Sequence, residues 1–332
     1  MLQGRGDRQV EIIRTERLTK LFQTKSGFFA KKKEIRAVDN INITVQTDTV
    51  FSVVGESGSG KSTLARLILK LMKPTDGEIF YRGECLKGLN REGIRRFRRS
   101  VQIIFQDPYA SLNPRMNVYS ILSEPLKIHG FAGKGDIKER VAELLRSVGM
   151  LPNQMNRYPH EFSGGQRQRI CIARALTLSP ELIVADEPLS SLDVSIQAQI
   201  LNLLAKLKDG YKLSFIFISH DLNVIRYFSD YVAVMYAGNI VEEGISTDLF
   251  DSPKHPYTQT LIEAIPEIGS SKMRSLRTGS DNDDEKTGDH FNNAPRSGCS
   301  FYNRCPERLS VCLEHIPLLE QRDGRKVACH LY

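Results

Sequence analysis

No apolar run in this chain of 332 residues approaches the roughly 18 residues that a helix needs to cross a bilayer. The opening segment, Met1-Leu2-Gln3-Gly4-Arg5-Gly6-Asp7-Arg8, is polar and lacks the apolar centre of a secretory signal. The chain is therefore expected to stay in the cytosol unless a partner brings it to a surface. There is no internal repeat, which argues against solenoids and propellers. There is no RNA-binding signature and no basic stripe interleaved with aromatics. A nucleic-acid partner is thus not expected, despite a net charge of +7. The basic residues gather in Lys31-Lys32-Lys33 and in Arg91, Arg95, Arg96, Arg98 and Arg99. These are read as solvated loop and helix faces rather than as a nucleic-acid or anionic-membrane patch.

What is present is ordinary for a soluble globular protein. Charged residues make up 26% and hydrophobic residues 40%, and the length allows a large core with attachments. The patterning is mixed α/β. Strands are expected at residues 41–45, 50–54, 101–105, 182–185 and 214–218, several of them continuously apolar, as in a sheet covered on both faces. Helices are expected at 62–72 and 137–148. A hairpin is expected at 231–236 and 239–242, around Gly238-Asn239. Residues 92–178, rich in helical pattern, charge and proline, read as a helical subdomain inserted into an α/β core of residues 10–91 and 179–250. An extension runs from 251 to 332. It opens with Ser252-Pro253-Lys254-His255-Pro256-Tyr257 and includes a polar acidic linker at 279–286, expected to be mobile.

Gly55-Glu56-Ser57-Gly58-Ser59-Gly60-Lys61-Ser62 fits G-x-x-x-x-G-K-[ST], with Thr63 following. Its glycines let consecutive backbone N–H groups turn toward a phosphate, because a side chain would block that approach. Lys61 would reach the β- and γ-phosphates, and Ser62 would hold Mg²⁺. An apolar strand precedes the loop. Leu64, Leu67, Ile68, Leu71 and Met72 follow at helical spacing, so the phosphates would meet a helix N-terminus. Farther on, Leu182-Ile183-Val184-Ala185-Asp186-Glu187 is an apolar strand ending in two carboxylates, one for Mg²⁺ and one to polarise water. Ser163-Gly164-Gly165-Gln166 opens a helix and can be read as a plain cap or as a second anion-directed terminus. One loop already surrounds a triphosphate, so a second terminus would serve a nucleotide held by another subunit.

In order along the chain, these residues resemble the ATP-binding subunits of ABC transporters. The matching set is the loop Gly55 to Ser62, then Gln106 after an apolar strand, then Ser163-Gly164-Gly165-Gln166. It continues with Asp186-Glu187, Ser191-Leu192-Asp193, and His220 after Phe215-Ile216-Phe217-Ile218. Phe162 stands before the signature where leucine is commonest. The resemblance implies a P-loop NTPase core binding ATP and Mg²⁺, with Mg²⁺ held through Ser62, Gln106 and Asp186. Glu187 would be the general base, His220 would contact the γ-phosphate, and Gln106 would sense the water and link to the membrane partner. Ser163 to Gln166 and Asp193 would face the opposing subunit's ATP. Phe22 is the candidate to stack on adenine, with a core role as its alternative. The stretch Phe105 to Arg115, the run Asp193 to Gln199, and His255-Pro256-Tyr257 are similar to those of oligopeptide and dipeptide importers. Nickel and other small-solute importers share them. The implied partners are a second related ATPase, two membrane-spanning permease subunits and an external solute-binding protein. The expected place is the cytoplasmic face of the membrane. A soluble ABC ATPase acting on ribosomes or nucleic acid is the reading from another class.

Of the six cysteines, Cys85 and Cys171 are read as packing residues. Cys299, Cys305, Cys312 and Cys329 crowd into the tail. Four thiolates suit zinc or an iron–sulfur cluster. No short C-x₂₋₄-C pair favours zinc, and unliganded thiols are a third reading. The resemblance implies a [4Fe–4S] cluster, stapling a small cysteine-rich domain with little apolar content of its own. His315 and His330 are read as bystanders.

Overall fold

The computed structural model describes residues 10–24, 33–130, 137–265 and 297–332. Phe28, Phe29, Lys31, Lys32, the opening segment 1–8 and the acidic linker 279–286 lie outside the described residues. In chain order the strands are β1 (Glu11–Thr24), β2 (Lys33–Ile41), β3 (Thr44–Gln46), β4 (Val50–Val54), β5 (Asp76–Tyr81), β6 (Glu84–Cys85) and β7 (Val101–Ile104). They continue as β8 (Leu182–Asp186), β9 (Ser214–Ser219), β10 (Tyr231–Tyr236), β11 (Asn239–Ile245), β12 (Glu320–Arg322) and β13 (Arg325–Val327). A five-stranded antiparallel sheet runs β2-β1-β5-β6, with β3 also on β1. An eight-stranded sheet runs β12-β13-β11-β10-β4-β9-β8-β7. Its members β10, β4, β9, β8 and β7 are mutually parallel.

The parallel strands divide their side chains between two cores, as strict alternation requires. From β9, Phe215 and Phe217 enter one cluster, and Ile216 and Ile218 enter the other. From β4, Val50 and Val54 go one way, and Phe51 and Val53 the other. Burying each such side chain contributes roughly 1.5–3 kcal/mol. That explains why these runs are continuously apolar. Phe228 packs edge-on against Phe215 and Phe217, with ring centroids 5.6 and 5.1 Å away. On the second face, Leu64, Leu67 and Ile68 of the helix Lys61–Ile68 share a core with Ile12, Leu18 and Val38 of the smaller sheet.

Several elements differ from expectation. The strand expected at 41–45 is broken: β2 ends at Ile41 and β3 starts at Thr44. The helix expected at 62–72 stops at Ile68, and Lys70 takes φ of 53°. The strand expected at 101–105 is present as β7, one residue shorter; it lies inside the span 92–178 read as an inserted helical subdomain and pairs in parallel with β8 at the edge of the larger sheet. In the tail, β13 pairs with β11 and extends that same sheet, while Phe301 enters the first core.

The start of the extension is fixed from β11. Glu242 is fully buried, and its carboxylate accepts from the backbone N–H groups of Lys254 and His255 at 3.0 and 2.9 Å and from Arg325 at 3.4 Å. His255 caps the helix Pro256–Glu263, its Nδ1 accepting from the Tyr257 N–H at 3.0 Å. Pro256 sits at the first helical position, where its missing N–H costs nothing. Burial pushes the His255 imidazole down to about 4, from an ordinary 6.5. The folded protein therefore keeps this ring neutral while the unfolded chain takes up a proton. The resulting stability is complete above the unfolded value and is lost as pH falls through the folded one. The loss is roughly 3 kcal/mol. Denaturant unfolding across this range should show the decline, and His255→Gln should flatten it. An equal slope in the variant would contradict the assignment.

Candidate functional site

Because β4, β7, β8 and β9 run the same way, their carboxyl ends meet at one edge of the sheet. The register pairs Val54 with Ser219, Asp186 with Ile218 and Ile104 with Ala185. The residues just beyond these ends are Gly55, Gln106, Glu187 and His220.

The phosphate loop leaves β4 through backbone that only glycine adopts without strain. Gly58 and Gly60 have φ of 82° and 108°. A Cβ on Gly60 would lie 2.0 Å from the Ala37 carbonyl oxygen, and one on Gly55 2.1 Å from that of Met235. The smaller sheet and β10 thus hold the loop tightly from behind. Gly60 caps the helix Lys61–Ile68, while Ser57 and Gly58 stay exposed. Lys61 Nζ donates to the carbonyl oxygens of Gly55 and Glu56 at 2.7 and 2.8 Å. Burial lowers its pKa, against the opposing pull of Glu187, Asp186 and Glu56. Thr63 is half-buried one residue beyond Ser62. Ser62 Oγ donates to Asp186 Oδ1 at 2.9 Å. Burial raises the Asp186 carboxyl, and the Ser62 hydrogen bond works against that rise. A hydroxyl and a carboxylate in contact are oxygen ligands that suit Mg²⁺, and the helix N-terminus with Lys61 beside them suits a polyphosphate, so the residues fit both groups.

Beside this pair, Glu187 takes φ of 47°, a costly conformation for a non-glycine residue. Its N–H donates to the Ile218 carbonyl at 3.0 Å. Gln106 Nε2 donates to Glu187 Oε2 at 3.1 Å, and His220 Nδ1 lies 3.4 Å from the same oxygen. A cleft of about 60 Å³ is lined here by Glu187, Ser190, Gln197, Ser219, His220 and Asp221. One oxygen of the carboxylate thus accepts from Gln106 and has the His220 ring nitrogen nearby, and the side chain borders this small cleft. Gln106 reaches Glu187 rather than joining the Ser62–Asp186 pair.

Ser163 caps the helix Gly164–Leu176 in a reciprocal pair. Its Oγ accepts from Gln166 N–H at 3.4 Å, and its N–H donates to Gln166 Oε1 at 3.1 Å. A Cβ on Gly165 would meet Ile196 at 2.6 Å. Asp193 opens the helix Val194–Tyr211 with no side-chain cap bond. Among the described residues, no hydrogen bond joins the Ser163–Gln166 turn to the phosphate loop of the same chain. Phe22 lies on β1 opposite Ile35, with Lys20 Nζ 5.5 Å from its ring centroid.

Two residues that sequence reasoning did not single out for the site touch the phosphate loop. Arg304 donates from Nη1 and Nη2 to the two Glu56 carboxylate oxygens, both at 2.8 Å. The Glu56 N–H donates to Tyr257 Oη at 3.0 Å. Tyr257 was visible only as the third residue of His255-Pro256-Tyr257, and Arg304 only as the neighbour of Cys305.

The four tail cysteines come within electrostatic reach of one another. Burial pushes the Cys299 thiol up to about 11, and the other three add to the rise. Burial likewise raises Cys305 and Cys329. The backbone N–H groups of Phe301, Glu307 and Leu331 offset part of that rise at Cys299, Cys305 and Cys329 respectively. Among the described residues, however, no three His, Cys, Asp or Glu side chains stand close enough to hold a metal ion. The thiols are of the type that a metal or cluster would take, but among the described residues they are not gathered closely enough to hold one. Cys171 is buried, with its sulfur 3.2 Å from Ser111 Oγ. His330 Nε2 bonds the His315 carbonyl oxygen at 3.0 Å.

Comparison with known proteins agrees with this geometry. Residues 38–190 match the family model described as ABC transporter, and residues 241–312 match that of the oligopeptide/dipeptide transporter C-terminal region. The chain is 44% identical to the oligopeptide transport ATP-binding protein AppF of Bacillus subtilis, over 98% of each chain. It is 41% identical to the dipeptide transport ATP-binding protein DppF of Escherichia coli, covering 97% of this chain and 94% of the other. Among solved structures it resembles the dimeric post-hydrolysis state of the ATP-binding cassette MJ0796 bound to ADP and Pi. That match has a TM-score of 0.63 and 28% identity, over 71% of this chain and 99% of the other. No helix among the described residues is long and apolar enough to cross a membrane. The chain therefore belongs to the ATP-binding subunits of oligopeptide/dipeptide ABC transporters.

Proposed function

We propose that this chain hydrolyses ATP between itself and a second, related ATPase subunit, and that the cycle drives import of di- or oligopeptides. The gathering of Gln106, Glu187 and His220 beside Lys61, Ser62 and Asp186 carries the hydrolytic reading. The peptide reading rests on the relatives' names and on the matched C-terminal region. The division into an α/β core (10–91 and 179–250), an insertion (92–178) and an extension (251–332) is part of the same proposal.

In this reading the loop N–H groups and Lys61 hold the β- and γ-phosphates. Ser62 and Asp186 hold Mg²⁺, which when bound offsets charge on the transferred group. Glu187 takes the proton of the attacking water as its oxygen bonds to the γ-phosphorus and the bond to the β–γ bridging oxygen breaks. Gln106 and His220, already on the Glu187 carboxylate, orient it, and His220 contacts the γ-phosphate. Ser163 to Gln166 and Asp193 serve the opposing subunit's ATP, since their own bonds leave this chain's phosphate loop aside. Phe22 stacks on adenine. Loss of the γ-phosphate releases the interface, and the region from Gln106 passes the motion to two membrane-spanning permease subunits. An external binding protein delivers the solute, and the chain sits on the cytoplasmic face of the membrane.

The finer reading of the tail is a small cysteine-rich unit whose Cys299, Cys305, Cys312 and Cys329 hold a [4Fe–4S] cluster. The electrostatic neighbourhood that the four thiols share supports it, and zinc is the alternative.

Glu187→Gln should retain MgATP binding, accumulate as a closed dimer and hydrolyse at least about 100-fold more slowly. Single-turnover hydrolysis with the companion subunit measures this, and undiminished turnover would remove Glu187 as the base. Anaerobically prepared protein should contain iron and acid-labile sulfide in equal amounts, lost in Cys312→Ser. Zinc without sulfide would overturn the cluster.

A further inference from the structure

The geometry points to the C-terminal region as a positioning device for the phosphate loop, acting on Glu56 through Arg304 and Tyr257. This rests on the reading of residues 55–62 as the nucleotide site. Glu56 is the second residue of that loop, and all its polar groups are engaged. Its carbonyl accepts from Lys61 Nζ at 2.8 Å, its N–H donates to Tyr257 Oη at 3.0 Å, and its carboxylate is gripped at 2.8 Å twice by Arg304. The fork of two parallel N–H···O bonds fixes orientation as well as distance. Glu56 stands next to Gly55, whose missing Cβ lets the chain swing. Fixing Glu56 therefore sets where the following N–H groups point.

The anchors behind these contacts are rigid. Tyr257 is fully buried, its ring 4.6 Å from that of Tyr236 and 5.4 Å from that of Phe301. The His255 cap and buried Glu242 fix its backbone. Phe301 is itself buried, 5.2 Å from Tyr236. The Arg304 guanidinium lies 5.7 Å from the Tyr236 ring and 5.8 Å from that of Phe301. Two segments separated by residues 266–296 thus converge on one loop residue. Both act on the loop through Glu56, so both are positioning residues.

The Arg304 and Glu56 side chains remain 40% and 33% exposed. At that exposure solvent screening keeps the pair's contribution to global stability modest even in the bidentate geometry. Its effect belongs in preorganisation, where a loop already held in its binding shape loses less freedom on meeting the ligand. Arg304 also stands between Cys299 and Cys305, and the Phe301 N–H bonds the Cys299 sulfur. Displacement of the cysteine segment would therefore be felt at the nucleotide.

The test is a double-mutant cycle on the full-length chain, with Glu56→Gln, Arg304→Gln and the double variant titrated with a fluescent MgATP analogue. Each single variant should bind about five- to tenfold more weakly, with unchanged melting temperature. The double should bind no worse than either single. With the companion subunit, KM for ATP should rise while kcat holds. Arg304→Lys should recover only part of the loss, since an ammonium keeps the attraction but not the fork. Unchanged affinity in Arg304→Gln, or single losses that add in the double, would overturn the proposal. Should Arg304→Gln fail to fold, Tyr257→Phe decides it, because removing one hydroxyl must weaken binding in the same direction. A wild-type chain that binds no MgATP would instead sink the nucleotide-site reading itself.

Discussion

Strands that run the same way must end at the same edge, and the site depends on that constraint. The buried, mostly apolar strands β4, β8 and β9 lie parallel with both faces covered, and β7 joins them at the edge of the sheet. Their carboxyl ends then bring Gly55, Gln106, Glu187 and His220 together from positions up to 165 residues apart in the sequence. Nothing in the local sequence of any one of them specifies the others. The sheet does so, and the left-handed turn at Glu187 completes the arrangement by moving its carboxylate toward Gln106 and His220.

The second organising fact is that the C-terminal region is not merely appended. It extends the larger sheet through β13, sends Phe301 into the core and reaches the phosphate loop through Tyr257 and Arg304. The buried Glu242 carboxylate links these, since it orients the backbone of Lys254 and His255 and holds Arg325. The tripeptide His255-Pro256-Tyr257 then has a physical reading. His255 caps, Pro256 starts the helix and Tyr257 delivers a hydroxyl to the nucleotide loop.

The parts of the fold legible in the sequence were those where one physical signal dominates. Strands β8 and β9 announce themselves by apolar runs, β4 by one interrupted only at Ser52, and the loop by its glycines, of which Gly55 and Gly60 leave no room for a side chain. Strands β1 and β2 escaped the periodicity reading: in Glu11-Ile12-Ile13-Arg14-Thr15-Glu16-Arg17-Leu18 the charged residues fall at both parities, and the β1 ladder is irregular, with Arg17 at φ of 48°. Strands β12 and β13 are too short and polar to show a period, and they exist only because β11 offers an edge. The Ser62–Asp186 contact followed from motif chemistry. Arg304–Glu56 did not, because it joins two residues 248 apart whose neighbours advertise other roles. The four cysteines were found by spacing alone, while the packing of Gly298 on the Cys312 carbonyl, where any Cβ would come within 2.4 Å, shows only in the structure.

The central claim is that nucleotide is held between two subunits, each supplying the half that the other lacks. Sedimentation of this chain with its companion ATPase, with and without MgATP, tests it most directly. The account predicts association that requires MgATP and is lost when Ser163→Ala is introduced. Association indifferent to nucleotide, or undiminished by loss of the Ser163 hydroxyl, would contradict it.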